Sequence, residues 1–282
     1  MVKVMLSRLV PTRFQLVAQQ LQLIPQLQWA STTRQHLPRL PPQCCLAILC
    51  TGAPEIQGLV LATMKKKGLF EIIYEDDAIL VVNKASGLLS LPDRFKPELP
   101  NLKDFGDQHC GRIWIVHRLD RDTSGVLVLA KTEDAHKSLS LQFENRQVRK
   151  HYWALVKGQP GQSGGEVDRP IAPNPHHPGR MIISKAGKAA LSRFQVIERF
   201  RGYSLLEVSI HTGRTHQIRV HMKAIGCPLA IDPIYGDDRG IFLSQIKGKK
   251  YQIGKGQEER PLIQRLSLHA RQLSFLHPVT NK

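Results

Sequence analysis

Nine consecutive residues, His117-Arg-Leu-Asp120-Arg-Asp-Thr-Ser-Gly125, separate two apolar runs, Ile-Trp-Ile-Val at 113–116 and Val-Leu-Val-Leu-Ala at 126–130. Both runs are short, aliphatic or β-branched, and bounded by polar turn residues, the pattern of buried strands. The stretch between them is dense in charge and ends in Ser-Gly, so it reads as a connecting loop. A chain with this pattern must fold around a sheet that carries a charged loop on rigid supports. Such a loop can hold a reactive side chain accurately. Within it Asp120 has arginine on both sides, at 118 and 121, and neighbouring cations favour an ionised carboxylate. A plainer reading also fits: Asp120 and Asp122 bond turn amides, as aspartate commonly does.

The charge balance narrows the partner. Forty Lys and Arg against 23 Asp and Glu give +17 over 282 residues, and a surface so basic suits a polyanion, nucleic acid first. No basic amphipathic helix points to a membrane surface, and no run of 18 apolar residues could span one. The five cysteines (44, 45, 50, 110 and 227) form no CxxC pair, which argues for a reducing compartment and against a zinc site or disulfide framework.

Residues 1–63 stand apart from the rest. They hold five basic residues and a single acid, Glu55, and are rich in Gln, Leu and Pro. A short amphipathic helix over 13–24 is the one element they suggest. Three readings compete: translated upstream sequence with the true start at Met64, an organellar transit peptide, or a genuine accessory region. The first is favoured because the patterned sequence begins within ten residues of Met64, giving a domain over 64–282 and a poorly defined extension before it.

From Leu69 the pattern predicts strands at 70–74 and 78–82 across an acidic turn, then loop over 92–112. A helix follows Thr132, with a threonine cap and acids in its first turn, and runs to about Asn145. Lys150-His-Tyr-Trp-Ala-Leu-Val-Lys-Gly158 reads as a strand, 159–188 as an exposed basic loop, and 189–210 as two more strands. Gly213 then breaks the chain, and Thr215 can cap a helix that turns Ile218, Met222 and Ile225 inward. Thr215, His216 and Arg219 share a face near its start. Arg219 there opposes the helix dipole, which calls for a paired anion. His211, His216 and His221 are five apart and do not share a face, and His176-His177 lack partners at ligand spacing, so no metal is expected. Residues 237–266 read as a basic loop with Lys247, Lys249, Lys250 and Lys255, and 268–278 as a last strand.

Taken together, His117-Arg-Leu-Asp-Arg-Asp-Thr-Ser-Gly125, Lys150-His-Tyr-Trp-Ala154, Gly213-Arg-Thr-His-Gln-Ile-Arg-Val-His221 and Asp232-Pro-Ile-Tyr-Gly236 resemble, in the same order, the blocks of the RluA-type pseudouridine synthases. The resemblance spans roughly 70 to 278. It departs from the family pattern at Ala85, where proline is usual, and at Ile231, where glycine often stands. It implies an α+β fold, a mixed and largely antiparallel sheet framed by helices and loops around a basic cleft. Strand-rich blocks with two principal helices agree with that independently. It further implies isomerisation of uridine to pseudouridine in ribosomal or transfer RNA by a cytoplasmic monomer (organellar if 1–63 is a transit peptide).

In the family the aspartate is catalytic, the tyrosine packs against the target base and the arginine pairs with the aspartate. These roles fall on Asp120, Tyr152 and Arg219. Arg118, Arg214, His216 and Gln217 would contact substrate, Arg118 either entering the space left by the flipped base or binding phosphate. Tyr152 could equally anchor a core strand. The reaction breaks N1–C1′, turns the base and joins C5 to C1′; nothing is oxidised, so no cofactor is needed. Whether the aspartate attacks C1′, attacks C6 or removes the 2′ proton stays open. An RNA-binding or ribosome-assembly factor on the same fold is the alternative. A glycosidase ranks below it, because only Asp122 is near enough to serve as a second carboxylate.

Overall fold

A computed structural model describes residues 2–5, 69–247 and 258–281. The helix expected over 13–24, the remainder of the 1–63 extension apart from residues 2–5, Cys44, Cys45 and Cys50, and Lys249, Lys250 and Lys255 lie outside the described residues. In chain order the elements are β1 (Val2–Met5), β2 (Phe70–Glu75), β3 (Ile79–Lys84), α1 (Leu102–Cys110), β4 (Trp114–Ile115), β5 (Ser124–Ala130), α2 (Glu133–Glu144), β6 (Arg149–Lys157), β7 (Gly164–Asp168), β8 (Ile171–Pro173), β9 (Met181–Ile183), β10 (Leu191–Phe200), β11 (Tyr203–Ile210), α3 (Gln217–Ala224), α4 (Leu243–Lys247) and β12 (Leu268–Phe275). The main sheet runs β2-β3-β5-β12-β6-β11-β10-β7, with β1 added to β12 and β4 to β5. Among the described pairings only β5 with β12 is parallel, through Ser124–His269 and Gly125–Ala270. The fold is α+β with a mixed, largely antiparallel sheet.

The runs 79–82 of β3 and 126–130 of β5 are apolar throughout because both faces are covered. Leu80, Val82, Leu127 and Leu129 turn to one side, where Ile218 and Met222 of α3 pack. Ile79, Val81, Val126 and Val128 turn to the other, against Ala135 and Leu139 of α2. Helix α2 starts where its sequence says it should: Thr132 Oγ1 accepts from the Ala135 amide at 3.2 Å.

Several local expectations are corrected. Residues 92–112 are not all loop. Asn101 accepts from the Asp104 amide at 3.0 Å and caps α1, whose Gly106 lets Ile113 lie against the helix, its Cδ1 only 2.2 Å from where a Cβ would sit. Of the run at 113–116, only Trp114 and Ile115 pair with β5 before the chain diverges. The segment 159–188 holds β7 and the β8–β9 hairpin. Helix α3 is not capped by Thr215; His216 occupies the cap in a left-handed conformation (φ 55°), with no side-chain capping bond.

The loop from Val116 to Thr123 is bolted down from several sides. Lys84, fully buried at the end of β3, donates from Nζ to the carbonyls of Leu88 (2.7 Å), Arg121 (2.9 Å) and Ala85 (3.0 Å). Ser86 Oγ donates to the Asp122 carbonyl at 2.6 Å, and the Gly87 amide to that of Arg121 at 2.9 Å. Ser90 Oγ donates to the Leu119 carbonyl and accepts from its amide. Ala85 earns its place here: its amide donates to the Leu69 carbonyl at 2.9 Å, a bond proline could not make. Gly125 ends the loop with φ 123°, and an added Cβ would lie 2.2 Å from the Ala270 carbonyl oxygen. No side chain fits where β5 meets β12.

Burial pushes the Lys84 ammonium down to about 7, against the opposing pull of Asp122 and Asp120. Between that value and about 10.5 in the unfolded chain, the unfolded state holds the extra proton, so this lysine makes stability rise with pH. The difference in unfolding free energy between wild type and Lys84→Met should therefore grow in favour of wild type from pH 7 to 10, measured by urea denaturation. A difference that stays flat over this range would show that the three carbonyls keep the ammonium charged.

Candidate active site

One cleft gathers the residues singled out in the sequence. Asp120 and Arg118 reach it from the loop after β4, Tyr152 from β6, Arg214 and His216 from the turn before α3, and Gln217 and Arg219 from α3 itself. Leu119, Ile210, Ile218 and Leu268 supply apolar wall. Three arginines around one carboxylate make the cleft basic, and Arg118 is exposed at its edge.

Asp120 keeps 24% of its side chain exposed, whereas the neighbouring Arg219 has 2%. The Arg219 Nη1 atom is 3.6 Å from Asp120 Oδ2, beyond hydrogen-bond reach. Its close partner is Asp232, 1% exposed: Nε donates to Oδ2 at 2.9 Å and Nη2 to Oδ1 at 2.7 Å. Asp232 Oδ1 also accepts from the amides of Ile234 and Tyr235 at 2.9 and 3.0 Å. The anion demanded by a cation at the start of α3 is thus chiefly Asp232, with Asp120 second. Burial works against the Arg219 guanidinium, but the Asp232 bonds outweigh it and hold its proton more firmly than usual. Its Cζ lies 5.1 Å from the centre of the Tyr235 ring, within cation–π range.

Tyr152 is 8% exposed and packs in the core beneath the cleft. Burial, and then the charge of Asp120, push its phenol well above its ordinary range. It stays neutral at any working pH, which suits a packing surface and not a base. Gln217 is buried with its amide committed inside the protein: Oε1 accepts from Thr212 Oγ1 and the Arg214 amide, and Nε2 donates to the Leu191 carbonyl and Ser192 Oγ. It shapes the 212–214 turn. Arg214 donates from Nε to the Ala189 carbonyl at 3.1 Å.

The histidines divide by surroundings. His117 takes the Val128 amide on Nε2 at 3.2 Å and stacks on Phe143 at 4.5 Å, and burial, helped by the Lys150 charge, pushes it down to about 3. It is a neutral packing group behind the loop. His221 is buried between Ser192 Oγ and the Arg169 carbonyl. His216 alone among these faces Asp120, with Nε2 3.7 Å from Oδ2. Away from the cleft, Glu75, His109 and Cys110 lie close enough to share an ion. Glu75 already bonds Lys131 at 2.7 Å and His109 at 2.8 Å, an ion-paired cluster complete without one.

Sequence reasoning missed Asp232 and Tyr235 as parts of this site, and Ser124 as an anchor. The block 232–236 stood out, but a bond spanning 13 residues has no spacing signature. Ser124 Oγ accepts from Arg265 Nη1 at 2.8 Å and lies 2.8 Å from His269 Nδ1, tying the loop's end to β12 from the side opposite Lys84.

The chain is similar to known proteins. The family model described as RNA pseudouridylate synthase matches residues 78–224, a span that includes Asp120, Tyr152, His216 and Arg219 and stops short of Asp232. A ribosomal large subunit pseudouridine synthase D of Pseudomonas aeruginosa is 40% identical over 217 residues, covering 74% of this chain and 65% of its own. An uncharacterized RNA pseudouridine synthase of Bacillus subtilis is 39% identical over 220 residues, covering 75% and 66%. Among solved structures, human RNA pseudouridylate synthase domain containing 4 superposes with a TM-score of 0.55 at 29% identity, covering 72% of this chain and 82% of that one. The chain spans about 65% of the length of the first of these relatives. With the family model matched over more than half of its length, the chain belongs to the RluA-type RNA pseudouridine synthase family.

Proposed function

We propose that this protein isomerises uridine to pseudouridine in RNA, with Asp120 as the catalytic residue. The observation that carries the reading is a partly exposed carboxylate held by a rigid loop, facing a buried arginine and a neutral buried tyrosine in a basic cleft. Isomerisation breaks N1–C1′, rotates the uracil and forms C5–C1′, after which the proton lost from C5 is balanced by one gained at N1. Such a reaction needs a carboxylate at the sugar or ring, a cation to keep it ionised and a flat apolar wall for the turning base. Asp120, Arg219 and Tyr152 match those needs. No redox or group-carrying cofactor enters this balance.

The target uridine must leave its stack to reach the cleft. Arg118, exposed at the rim, is placed to fill the vacated space or to hold a phosphate, and Arg214 adds a second cation. His216 faces the reacting groups, while Gln217 contributes through the turn it holds. The name of the Pseudomonas aeruginosa relative supports large-subunit ribosomal RNA as the substrate, and no helix among the described residues is long and apolar enough to cross a membrane. The catalytic unit is residues 64–282. A binding-only role would leave the paired buried charges around Asp120 without a purpose, since they cost desolvation to maintain.

Asp120→Asn removes the charge and keeps the shape. It should leave folding and RNA affinity near wild type while cutting pseudouridine formation at least ~100-fold, mapped on ribosomal RNA from a deletion strain complemented with each form. Asp122→Asn, whose carboxylate bonds the exposed Arg121 at 3.2 Å, should keep most activity. Turnover by Asp120→Asn close to wild type would remove this residue from the chemistry. A chain starting at Met64 is expected to modify the same uridines, and its failure to do so would place residues 1–63 within the enzyme.

A further inference from the structure

His216 sits at the cap of α3 with φ 55° and ψ 21°, a conformation that costs a non-glycine residue free energy and persists where the surroundings over-determine it. The strain has a visible result. The ring is edge-on to Tyr235, with Nδ1 2.8 Å from the Tyr235 hydroxyl and Nε2 toward Asp120 at 3.7 Å. The Tyr235 oxygen in turn accepts the Met181 backbone amide at 2.7 Å. The amide occupies one lone pair of the oxygen, and Nδ1 is the hydroxyl's other partner among the described residues, so donation of the phenol proton to Nδ1 satisfies both groups. A neutral His216 then carries its hydrogen on Nε2, the nitrogen that faces the carboxylate.

We propose that His216 is a positioning residue for Asp120, fixed as the Nε2–H tautomer by a relay from the Met181 amide through the Tyr235 hydroxyl. The same carboxylate oxygen, Oδ2, lies 3.7 Å from His216 Nε2 and 3.6 Å from Arg219 Nη1. Two donors, one at the cap of α3 and one in its first turn, therefore bracket one oxygen. Both distances are long for hydrogen bonds, as catalytic contacts often are before substrate binds. When the base enters and excludes water, the two donors close on Oδ2 and leave the other oxygen directed at the nucleotide. The relay also couples the cleft to β9, so the β8–β9 hairpin helps set the state of the histidine.

The electrostatic surroundings agree. Burial, and then the nearby Arg219 and Arg118, press His216 below its ordinary range, while Asp120 and Asp232 oppose them and the net direction is down. Burial, opposed by the Met181 amide and Arg219, raises Tyr235, which keeps the phenol protonated and able to donate. These five groups, Asp120 and Arg118 from the loop, Arg219 from α3, and Asp232 and Tyr235 from the turn after it, are the charges that face the imidazole.

The inference rests on the reading of Asp120 as catalytic, and its test has a part that does not depend on turnover. In the full chain labelled with 15N-histidine, the His216 ring should show a protonated Nε2 and a bare Nδ1 at neutral pH. In Tyr235→Phe the neutral ring loses a hydrogen bond that stabilised it. Its tautomer preference should weaken, it should take up a second proton at higher pH, and the acid limb of the single-turnover rate should move up with it. His216→Ala should lower that rate by about tenfold or more with RNA affinity within about twofold, and His216→Gln, which keeps an N–H donor, should recover part of it. A wild-type ring protonated at Nδ1, or an acid limb and rate unmoved in Tyr235→Phe and His216→Ala, would overturn the proposal. Activity surviving in Asp120→Asn would instead overturn the functional reading itself, so the two failures are told apart.

Discussion

A guanidinium buried to 2% exposure between two carboxylates is the constraint on which the rest of this site depends. Taking a charge out of water costs several kcal/mol unless its partners are close and well aligned. Arg219 meets that condition on one side only, through its two-point bond to Asp232. Asp232 must then be fixed itself, and the amides of Ile234 and Tyr235 hold it. The turn after α3 is therefore folded around the arginine. What remains is a cation whose other edge faces Asp120 without binding it closely. Asp120 is left ionisable, partly exposed and free to engage something else, as a reacting carboxylate must be.

The loop that carries Asp120 gets its rigidity from the opposite direction. Lys84, Ser86, Gly87 and Ser90 grip its backbone from β3 and the turn after it, while Ser124 ties its end to β12. All of these contacts are to backbone atoms or to the hydroxyl at the loop's end, and none occupies the Asp120 carboxylate. Positioning and reactivity are thereby separated: the backbone is over-determined, and the side chain is left to its cation and its histidine. The parallel strand contact at Gly125 and Ala270 is so close that only glycine fits, which explains why the charged stretch ends in Ser-Gly.

Much of this was legible in the chain. The continuous burial of β3 and β5 follows from apolar runs covered on both faces, and α2 begins at the threonine its first turn required. The seven candidate residues do converge on one cleft. What escaped had physical causes. Helix α1 hides behind prolines and depends on Gly106 packing against Ile113, a contact no local pattern announces. The β8–β9 hairpin is built from three-residue strands, one ending in Pro173, too short for periodicity to show. Thr215 looked like a cap, yet His216 took that position in a left-handed conformation because its ring is held by Tyr235. Arg219 was read as needing an anion, and the nearest one recognisable was Asp120. The closer anion, Asp232, comes from the turn that follows α3, and only tertiary structure places it.

Arg219 serves Asp232 for structure and Asp120 for chemistry. Two double-mutant cycles on unfolding free energy test it, one pairing Arg219→Gln with Asp232→Asn and one pairing it with Asp120→Asn. The first should give a coupling of about 2 kcal/mol or more, as a buried two-point ion pair does. The second should stay below about 1 kcal/mol, because those groups are 3.6 Å apart and the carboxylate is partly in water. A coupling to Asp120 as large as that to Asp232, or none to either, would contradict the division of labour described above.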